Sequence, residues 1–416
     1  MINIRAKKLD MPPGLHFLMM LAMISLPLGE IQQILFGGLT AVKVILPILF
    51  VYVFCIYRGR MIIHPILLPY ILFVLCTLPS LITGVGFGGV LISLLGYIVL
   101  FQVLYVYSVS LVKIKDLMSA YVAALSVMSV LTLQVLITDF DIGEIIGKPF
   151  VEYFFGVPLI SGPSNNPNGF ASMFMPGIPF AYALFLSSTT KFKKLIYLGA
   201  LIVLFLTLIS TFSRSAIGAA LLVCIVVHHH QRNPRTFCFH LFFKLLGCLL
   251  VTIMLSSAYY LLIELVTMDI GATGDYSDLS NNKSTSGGYR TLMLIPMINI
   301  LSENLFIGVG FGNVKHMIEA KTGLFINSHN TPFGIAMDFG IFALFFIVVT
   351  ITLSIRDFTK ALKLAKDFNS RLLVSALLAS LAAMIFHGLF HEIYIHIMLW
   401  FPVIIGPVIL RNLRSV

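Results

Sequence analysis

The stretch LIYLGALIVLFLTLISTFSRSAIGAALLVCIVV, residues 195–227, consists of two long apolar runs separated by a single charged side chain, Arg214. Runs of roughly 18 apolar residues, long enough to cross about 30 Å of hydrocarbon as a helix, recur along the whole chain. A membrane β-barrel would instead show alternating segments of about 10 residues. The pattern therefore predicts an all-α integral membrane protein.

The composition agrees with this fold class. The chain has 416 residues, of which 59% are apolar and 11% charged, and its mean hydropathy is +1.00. Soluble domains are about 45–50% apolar and about 25% charged, so a soluble enzyme is excluded. We predict a single polytopic domain over residues 1–416 with about twelve spans, at 14–30, 40–57, 61–83, 87–112, 117–138, 168–188, 194–212, 214–230, 240–267, 332–355, 371–391 and 394–411.

The charges predict the orientation of these spans. Lys and Arg total 27 against 17 Asp and Glu, a net charge of +10 that in a soluble protein would suggest nucleic acid as a partner. In a membrane protein, basic residues collect in cytoplasmic loops, so no nucleic-acid partner is expected. With a cytoplasmic N-terminus, twenty basic residues fall on the cytoplasmic side. Seven lie opposite: Lys43, Lys148, Arg214, Lys283, Arg290, Lys315 and Lys321. Both termini are therefore expected in the cytoplasm.

Two connections on the outer side are longer than simple turns, residues 139–167 and residues 268–331. Long loops are where a site facing the outside would be built, since the other outer loops are short. Within the second loop, residues 289–302 have the apolar spacing of a short surface helix. The following GVGFGN, residues 308–313, is expected to form a glycine-rich turn, because no strand precedes it as a dinucleotide site would require.

Two arginines on the outer side are candidates for binding an anion. Arg214 is flanked by two serines at the junction of two spans, and Arg290 follows Tyr289 in the sequence GGYR. A guanidinium group can hold a phosphate by paired hydrogen bonds. The alternative for Arg214 is a side chain that extends to the interface, and for Arg290 an interfacial cation.

His329 lies where the long outer loop enters the tenth predicted span, with Asn330 beside it. An imidazole can accept a proton from a hydroxyl group near neutral pH, and Asn330 could orient a substrate or the ring. The alternative is a histidine that merely ends a helix.

Other histidines compete for this role, namely His316, His387, His391 and His396. His387 and His391 are four residues apart, with Glu392 adjacent, so both rings are predicted on one helix face. That spacing is compatible with a metal, but two ligands do not make a site. We therefore predict no metal and no cofactor.

The stretch SGPSNNPNGF, residues 161–170, precedes the sixth predicted span. Its composition is typical of a turn. The amides of Asn165 and Asn168 could also line a sugar-binding surface, because neutral hydrogen-bonding groups suit hydroxyl-rich ligands.

The ordered series SRS, GGYR, ENLFIGVGFGN and SHNTPFGIAMDFG resembles the bacterial O-antigen ligase superfamily, which also contains O-antigen and exopolysaccharide polymerases. The resemblance implies a GT-C-like protein of the inner membrane with its active site facing the periplasm. It implies an undecaprenyl-pyrophosphate-linked glycan as donor, with Arg214 and Arg290 at the pyrophosphate and His329 activating the acceptor hydroxyl. Asn330, Asn165, Asn168 and Tyr289 are then candidates for substrate binding.

Within the superfamily, two activities remain open. The ligase pattern, His-Asn followed by nine residues and Gly, matches at His329, Asn330 and Gly340. Ala343 and Gly218 depart from the family pattern, and NNPNGF is polymerase-like. A ligase would transfer the glycan to lipid A-core, whereas a polymerase would use a second lipid-linked glycan as acceptor. A lipid-glycan transporter is the rival class, but a carrier needs its polar residues near the midplane, whereas these candidates lie on one side.

Overall fold

The computed structural model describes most of the chain. The described residues are 13–28, 31–32, 41–56, 64–106, 111–138, 140–145, 149–154, 157–164, 166–232, 296–322, 328–394 and 397–414. Three candidate site residues, Asn165, Tyr289 and Arg290, lie outside them, as does the predicted span at 240–267.

The described chain is largely helical, as its hydropathy predicts. Its first part contains α1 (Pro13–Ser25), α2 (Ala41–Ile56), α3 (Leu67–Thr77), α4 (Ser80–Thr83), α5 (Phe87–Val106), α6 (Leu111–Thr138) and α7 (Ile142–Ile145). Its second part contains α8 (Pro167–Ser172), α9 (Phe174–Ser187), α10 (Lys191–Ser210), α11 (Arg214–Arg232), α12 (296–303), α13 (Val314–Thr322), α14 (Thr331–Phe339), α15 (Ile341–Leu364), α16 (Phe368–Gly388) and α17 (Ile397–Arg414).

Six helical segments among the described residues are long and apolar enough to cross a membrane: Phe87–Tyr105, Leu111–Thr138, Pro167–Ser187, Lys191–Ser210, Ile341–Leu364 and Phe368–Gly388. Three shorter apolar helices are Pro13–Ser25, Leu67–Thr83 and Arg214–Val227. These lengths support the prediction of a polytopic helical membrane protein. The count of twelve spans and the orientation stay predictions.

The centre of the bundle is formed by α9 and α16. α9 packs against α6, α10, α11 and α16, and α16 packs in turn against α11 and α17. The middle of α16 alternates small and branched residues, SALLASLAAM at 375–384, and almost all of them are buried. Small residues allow helix backbones to approach closely inside a membrane bundle. Because α16 is surrounded by α9, α11 and α17, its C-terminal end lies centrally at one end of the bundle.

The connection at 139–167, for which the sequence predicts the outer side, contains a small antiparallel hairpin that the sequence does not predict. Strands β1 (Val151–Phe154) and β2 (Val157–Ile160) pair with each other. The buried carboxylate of Asp141 holds the start of the hairpin, accepting hydrogen bonds from the N–H groups of Gly143 and Phe150, each at 2.7 Å. This loop thus has a folded structure of its own beside the bundle.

The predicted tenth span, 332–355, is divided in the structure at Gly340, where φ is 87°. α14 ends before this residue and the apolar helix α15 begins after it. The turn at 304–313 packs into the break, since the N–H of Val309 donates to the carbonyl of Met337 at 2.7 Å. The predicted glycine-rich turn is confirmed. α14 is a short helix separate from α15, which is the candidate membrane span.

Candidate active site

Arg214 is the first residue of α11 and follows a tight turn at the end of α10. Phe212 in that turn has a φ of 51°, and the N–H of Ser213 donates to Oγ1 of Thr211 at 3.2 Å. The side chain of Arg214 is half-buried. A helix N-terminus carries partial positive charge, so the turn and the guanidinium group together favour an anion.

Asn168 holds the turn that carries Arg214. Oγ of Ser213 donates a hydrogen bond to Oδ1 of Asn168 at 2.7 Å. Asn168 itself is in the first turn of α8, where Asn166 is the N-cap residue and accepts from the N–H of Asn168 at 2.9 Å. Pro167 favours this geometry, because it restricts the preceding residue to extended backbone and fits the first helical position.

His387 joins the same two segments from α16. Its ring is fully buried, with Nδ1 3.0 Å from Oγ of Ser215 and Nε2 3.2 Å from the backbone oxygen of Asn168. A carbonyl oxygen only accepts, so Nε2 must carry a proton. In the neutral ring, Nδ1 then accepts from the Ser215 hydroxyl. His387 is therefore a buried support for the segments on either side of Arg214, a role the sequence analysis did not assign to it.

His329 and Asn330 lie immediately before α14. Oδ1 of Asn330 caps this helix by accepting from the N–H of Phe333 at 2.9 Å. Nδ2 of Asn330 donates to the backbone oxygen of Leu389 at 2.8 Å. Because both ends of its amide are engaged within the protein, Asn330 is better suited to holding the loop than to binding substrate. The ring of His329 is half-buried, and its φ is 50°.

Thr331 continues this connection between the His329 loop and the end of α16. Its hydroxyl donates to the backbone oxygen of His391 at 2.7 Å and accepts from the N–H of Ile393 at 2.9 Å. The segment 328–331 is therefore hydrogen-bonded along its length to residues 389–393.

The rings of His387 and His391 lie 5.6 Å apart between centroids, which connects the two halves of the site. On one side, His387 contacts the turn of Arg214 and the start of α8. On the other, His391 contacts the loop of His329. The structure thus brings three predicted residues, Arg214, Asn168 and His329, to the same end of α16, although they are far apart in sequence.

The prediction that His387 and His391 share one helix face is wrong in detail, because α16 ends at Gly388 and His391 lies in the turn beyond it. Beyond the helix, Asn330 and Thr331 donate hydrogen bonds to the backbone oxygens of Leu389 and His391. His316 is largely exposed on α13, 3.8 Å from Glu319, and His396 is outside the described residues. No cluster of three or more His, Cys, Asp or Glu side chains able to hold a metal occurs in the described part of the chain.

Comparison with known families decides the class of the protein. Residues 199–348 match the family model for O-antigen ligase, a segment that includes the positions of Arg214, Arg290 and His329. This part of the chain is similar to the O-antigen ligase family. This confirms the resemblance to the O-antigen ligase and polymerase superfamily. Among curated proteins, none matches the chain in sequence.

The O-antigen ligase domain is found in glycosyltransferase-like membrane enzymes that act on lipid-linked glycans. The six apolar helices are those of a multi-pass membrane protein, and the match at residues 199–348 relates the chain to that enzyme class. The matched residues 199–348 include the turn of Arg214 and the loop of His329. α16 lies beyond the matched segment and still supplies the contacts that join them.

Proposed function

We propose that the protein is an O-antigen ligase. It transfers a glycan from undecaprenyl pyrophosphate to a sugar hydroxyl of lipid A-core in the assembly of lipopolysaccharide. The observation that supports this best is the junction at the end of α16, where hydrogen bonds connect the turn of Arg214 and the loop of His329. Glycan transfer from a pyrophosphate needs a cation at the leaving group and a base at the acceptor hydroxyl, and the end of α16 contacts the segments that carry Arg214 and His329.

In the proposed reaction, the acceptor oxygen attacks the anomeric carbon and the bond from that carbon to the pyrophosphate oxygen breaks. The hydroxyl proton passes to His329, which acts as general base. Undecaprenyl pyrophosphate leaves as an anion, which the guanidinium groups of Arg214 and Arg290 stabilise. Because the two guanidinium groups stabilise the negative charge of the leaving pyrophosphate, the proposed step requires no metal.

In this proposal the protein lies in the inner membrane of a bacterium. The site faces the periplasm, and both termini lie in the cytoplasm. Twenty of the 27 basic residues fall on the cytoplasmic side in this arrangement. The donor then enters from the membrane and the acceptor from the periplasm. Asn165, Asn168 and Tyr289 are proposed at the glycan, with Asn168 acting through the turn that it holds.

Polymerisation of lipid-linked glycans is the second candidate, favoured by the NNPNGF sequence and by Gly218 and Ala343. The chemistry at the donor is the same, and only the acceptor differs. A lipid-glycan transporter is less well supported, because the hydrogen-bonded residues collect at one end of the bundle rather than at its middle.

The test is a transfer assay with the purified full-length protein, a lipid-linked glycan donor and lipid A-core acceptor, in excess EDTA. We expect glycan on lipid A-core, at a rate that EDTA does not change. A ladder of lengthened lipid-linked glycan formed without lipid A-core would identify a polymerase instead. Activity lost in EDTA and restored by magnesium or zinc would contradict the metal-free step.

A further inference from the structure

Glu392 lies in the segment between α16 and α17, and its carboxylate faces the loop of His329. Oγ of Ser328 donates a hydrogen bond to Oε1 of Glu392. The backbone N–H groups of Ser328 and His329 also donate to this carboxylate. One side chain therefore accepts three hydrogen bonds from two successive residues of the loop.

These contacts bear on an unusual backbone conformation. His329 has a φ of 50°, in the left-handed region that residues with a Cβ rarely adopt. Such a conformation is strained and persists only where the surroundings impose it. Successive N–H groups converge on one anion when a residue adopts this left-handed geometry. Here the anion is the carboxylate of Glu392, so the conformation of His329 and the position of Glu392 are linked.

α14 leaves room for this arrangement by means of Gly334. A Cβ at this residue would lie 3.2 Å from Oγ of Ser328 and 3.3 Å from Oε1 of Glu392. Those distances are tighter than ordinary contact, so a larger residue would press on both partners of the hydrogen bond. The helix that follows His329 is thus shaped to accept the Glu392 side chain.

The surroundings of Glu392 raise the pKa of its carboxyl overall. Burial raises the pKa of the Glu392 carboxyl, and the hydrogen bonds from Ser328 and from the backbone of Ser328 and His329 lower it. The nearby carboxyl of Asp338 accepts a hydrogen bond from the Tyr394 hydroxyl. The donors of the His329 loop are therefore what favours the ionised form of Glu392.

We propose that Glu392 is a positioning residue for glycan transfer, which fixes the backbone of His329 and so aims the imidazole at the acceptor hydroxyl. This proposal rests on the proposed role of His329 as general base. Glu392 does not contact the substrate. Displacement of a reacting group by about 1 Å can lower a rate by about 100-fold, so a loop held by three hydrogen bonds matters to the chemistry.

The test measures transfer by the full-length protein carrying Glu392→Leu or Glu392→Gln. Leucine has a similar volume but accepts no hydrogen bond, so we expect kcat to fall by about 10- to 100-fold while the KM for the donor changes little. Glutamine keeps one accepting oxygen and should recover part of the rate. Glu303→Leu is the matched control, because Glu303 is an exposed carboxylate paired with Lys321 at 2.6 Å and should be dispensable.

A double variant distinguishes positioning from a general structural role. If Glu392 acts through His329, adding Glu392→Leu to His329→Ala should cause no further loss of transfer, because the two changes remove one function. Losses that multiply would overturn the proposal. If Glu392→Leu does not fold, judged by its thermal unfolding in detergent, Glu392→Gln decides: transfer and a pH profile equal to those of the unchanged protein would overturn it.

The same set of variants separates this inference from the proposed function. A transfer rate near that of the unchanged protein in His329→Ala would contradict the role of His329 itself. A large loss in His329→Ala together with normal transfer in both Glu392 variants would contradict only the role of Glu392.

Discussion

His387 and Ser215 are joined across the bundle, with Nδ1 of the histidine 3.0 Å from Oγ of the serine. The serine follows Arg214 at the start of α11, and the histidine ends α16. The other ring nitrogen contacts the backbone oxygen of Asn168. The fully buried imidazole of His387 thus connects the turn of Arg214 and the first turn of α8 to the central helix α16. A substitution of His387 should therefore affect both turns.

We expect His387→Ala to lower both stability and transfer. It removes the hydrogen bonds to the backbone oxygen of Asn168 and the hydroxyl of Ser215, both half-buried residues, and each lost bond costs about 0.5–1.5 kcal/mol. Thermal unfolding in detergent and the KM for the lipid-linked donor measure the two effects. Donor binding should weaken because the turn of Arg214 is no longer held.

Ser380→Ala is the control for this change. Ser380 is also buried in α16, but its hydroxyl makes no hydrogen bond to the described residues. We expect its stability and transfer to match the unchanged protein. Equal behaviour of His387→Ala and Ser380→Ala would show that the contacts of His387 do not support the site.

Gly340→Ala should destabilise the protein strongly. The φ of Gly340 is 87°, and a Cβ there would overlap the backbone oxygen of Phe306. The strained backbone alone costs on the order of 1–3 kcal/mol, and the overlap adds to it. The expected result is a lower unfolding temperature in detergent and a lower yield of inserted protein.

Gly199→Ala provides the comparison, since nothing lies within 4 Å of a Cβ at that exposed helical position. Alanine favours helix over glycine by about 1 kcal/mol, so this variant should be as stable as the unchanged chain or more so. If Gly340→Ala unfolds at the same temperature as Gly199→Ala, the break between α14 and α15 is not as described.

The local sequence was enough to predict the candidate residues but not the support around them. Arg214 and His329 are conspicuous because each is a polar residue at the boundary of an apolar run, on the side for which the sequence predicts few cations. The role of His387 depends on contacts with Ser215 and Asn168, which are distant in sequence. The only local signal is the group of polar residues in HGLFHE, 387–392, at the end of an apolar span, and by sequence alone these histidines are competitors of His329.

The break at Gly340 escaped prediction for a similar reason. A single glycine is tolerated within an apolar helix, and its positive φ is set by the turn at 304–313 packing against it. The hairpin at 151–160 was missed because VEYFFGVPLI contains a proline and is short. In both places tertiary contacts decide the local structure.

Stability should depend on pH through Glu392. Burial raises the pKa of its carboxyl above the value in the unfolded chain, so the folded state binds this proton more tightly. The associated stability is present below the unfolded pKa of about 4.3 and is lost as the pH rises above it. The quantity compared is the unfolding temperature of the unchanged protein minus that of Glu392→Gln. This difference should be smaller at pH 8 than at pH 5.

This dependence is measured as the difference in unfolding temperature between the two proteins at each pH. The groups that interact with Glu392 are Asp338, Tyr394 and the segment 328–329, with His391 adjacent in sequence. Asp338→Asn, combined with each form of residue 392, separates the contribution of the second carboxyl. A difference that grows in favour of the unchanged protein with rising pH would reverse the expected sign.

The last prediction concerns Arg214. Removing one fixed cation from the leaving group should lower transfer by about 30- to 1000-fold in Arg214→Ala. Arg214→Lys should recover only part of that loss, because an ammonium group cannot form the paired hydrogen bonds of a guanidinium group. Lys321→Ala removes a cation from the same side at an exposed position and should leave transfer unchanged. If Arg214→Ala folds and transfers glycan as well as Lys321→Ala does, Arg214 does not stabilise the departing pyrophosphate, and the anion must be held elsewhere in the protein.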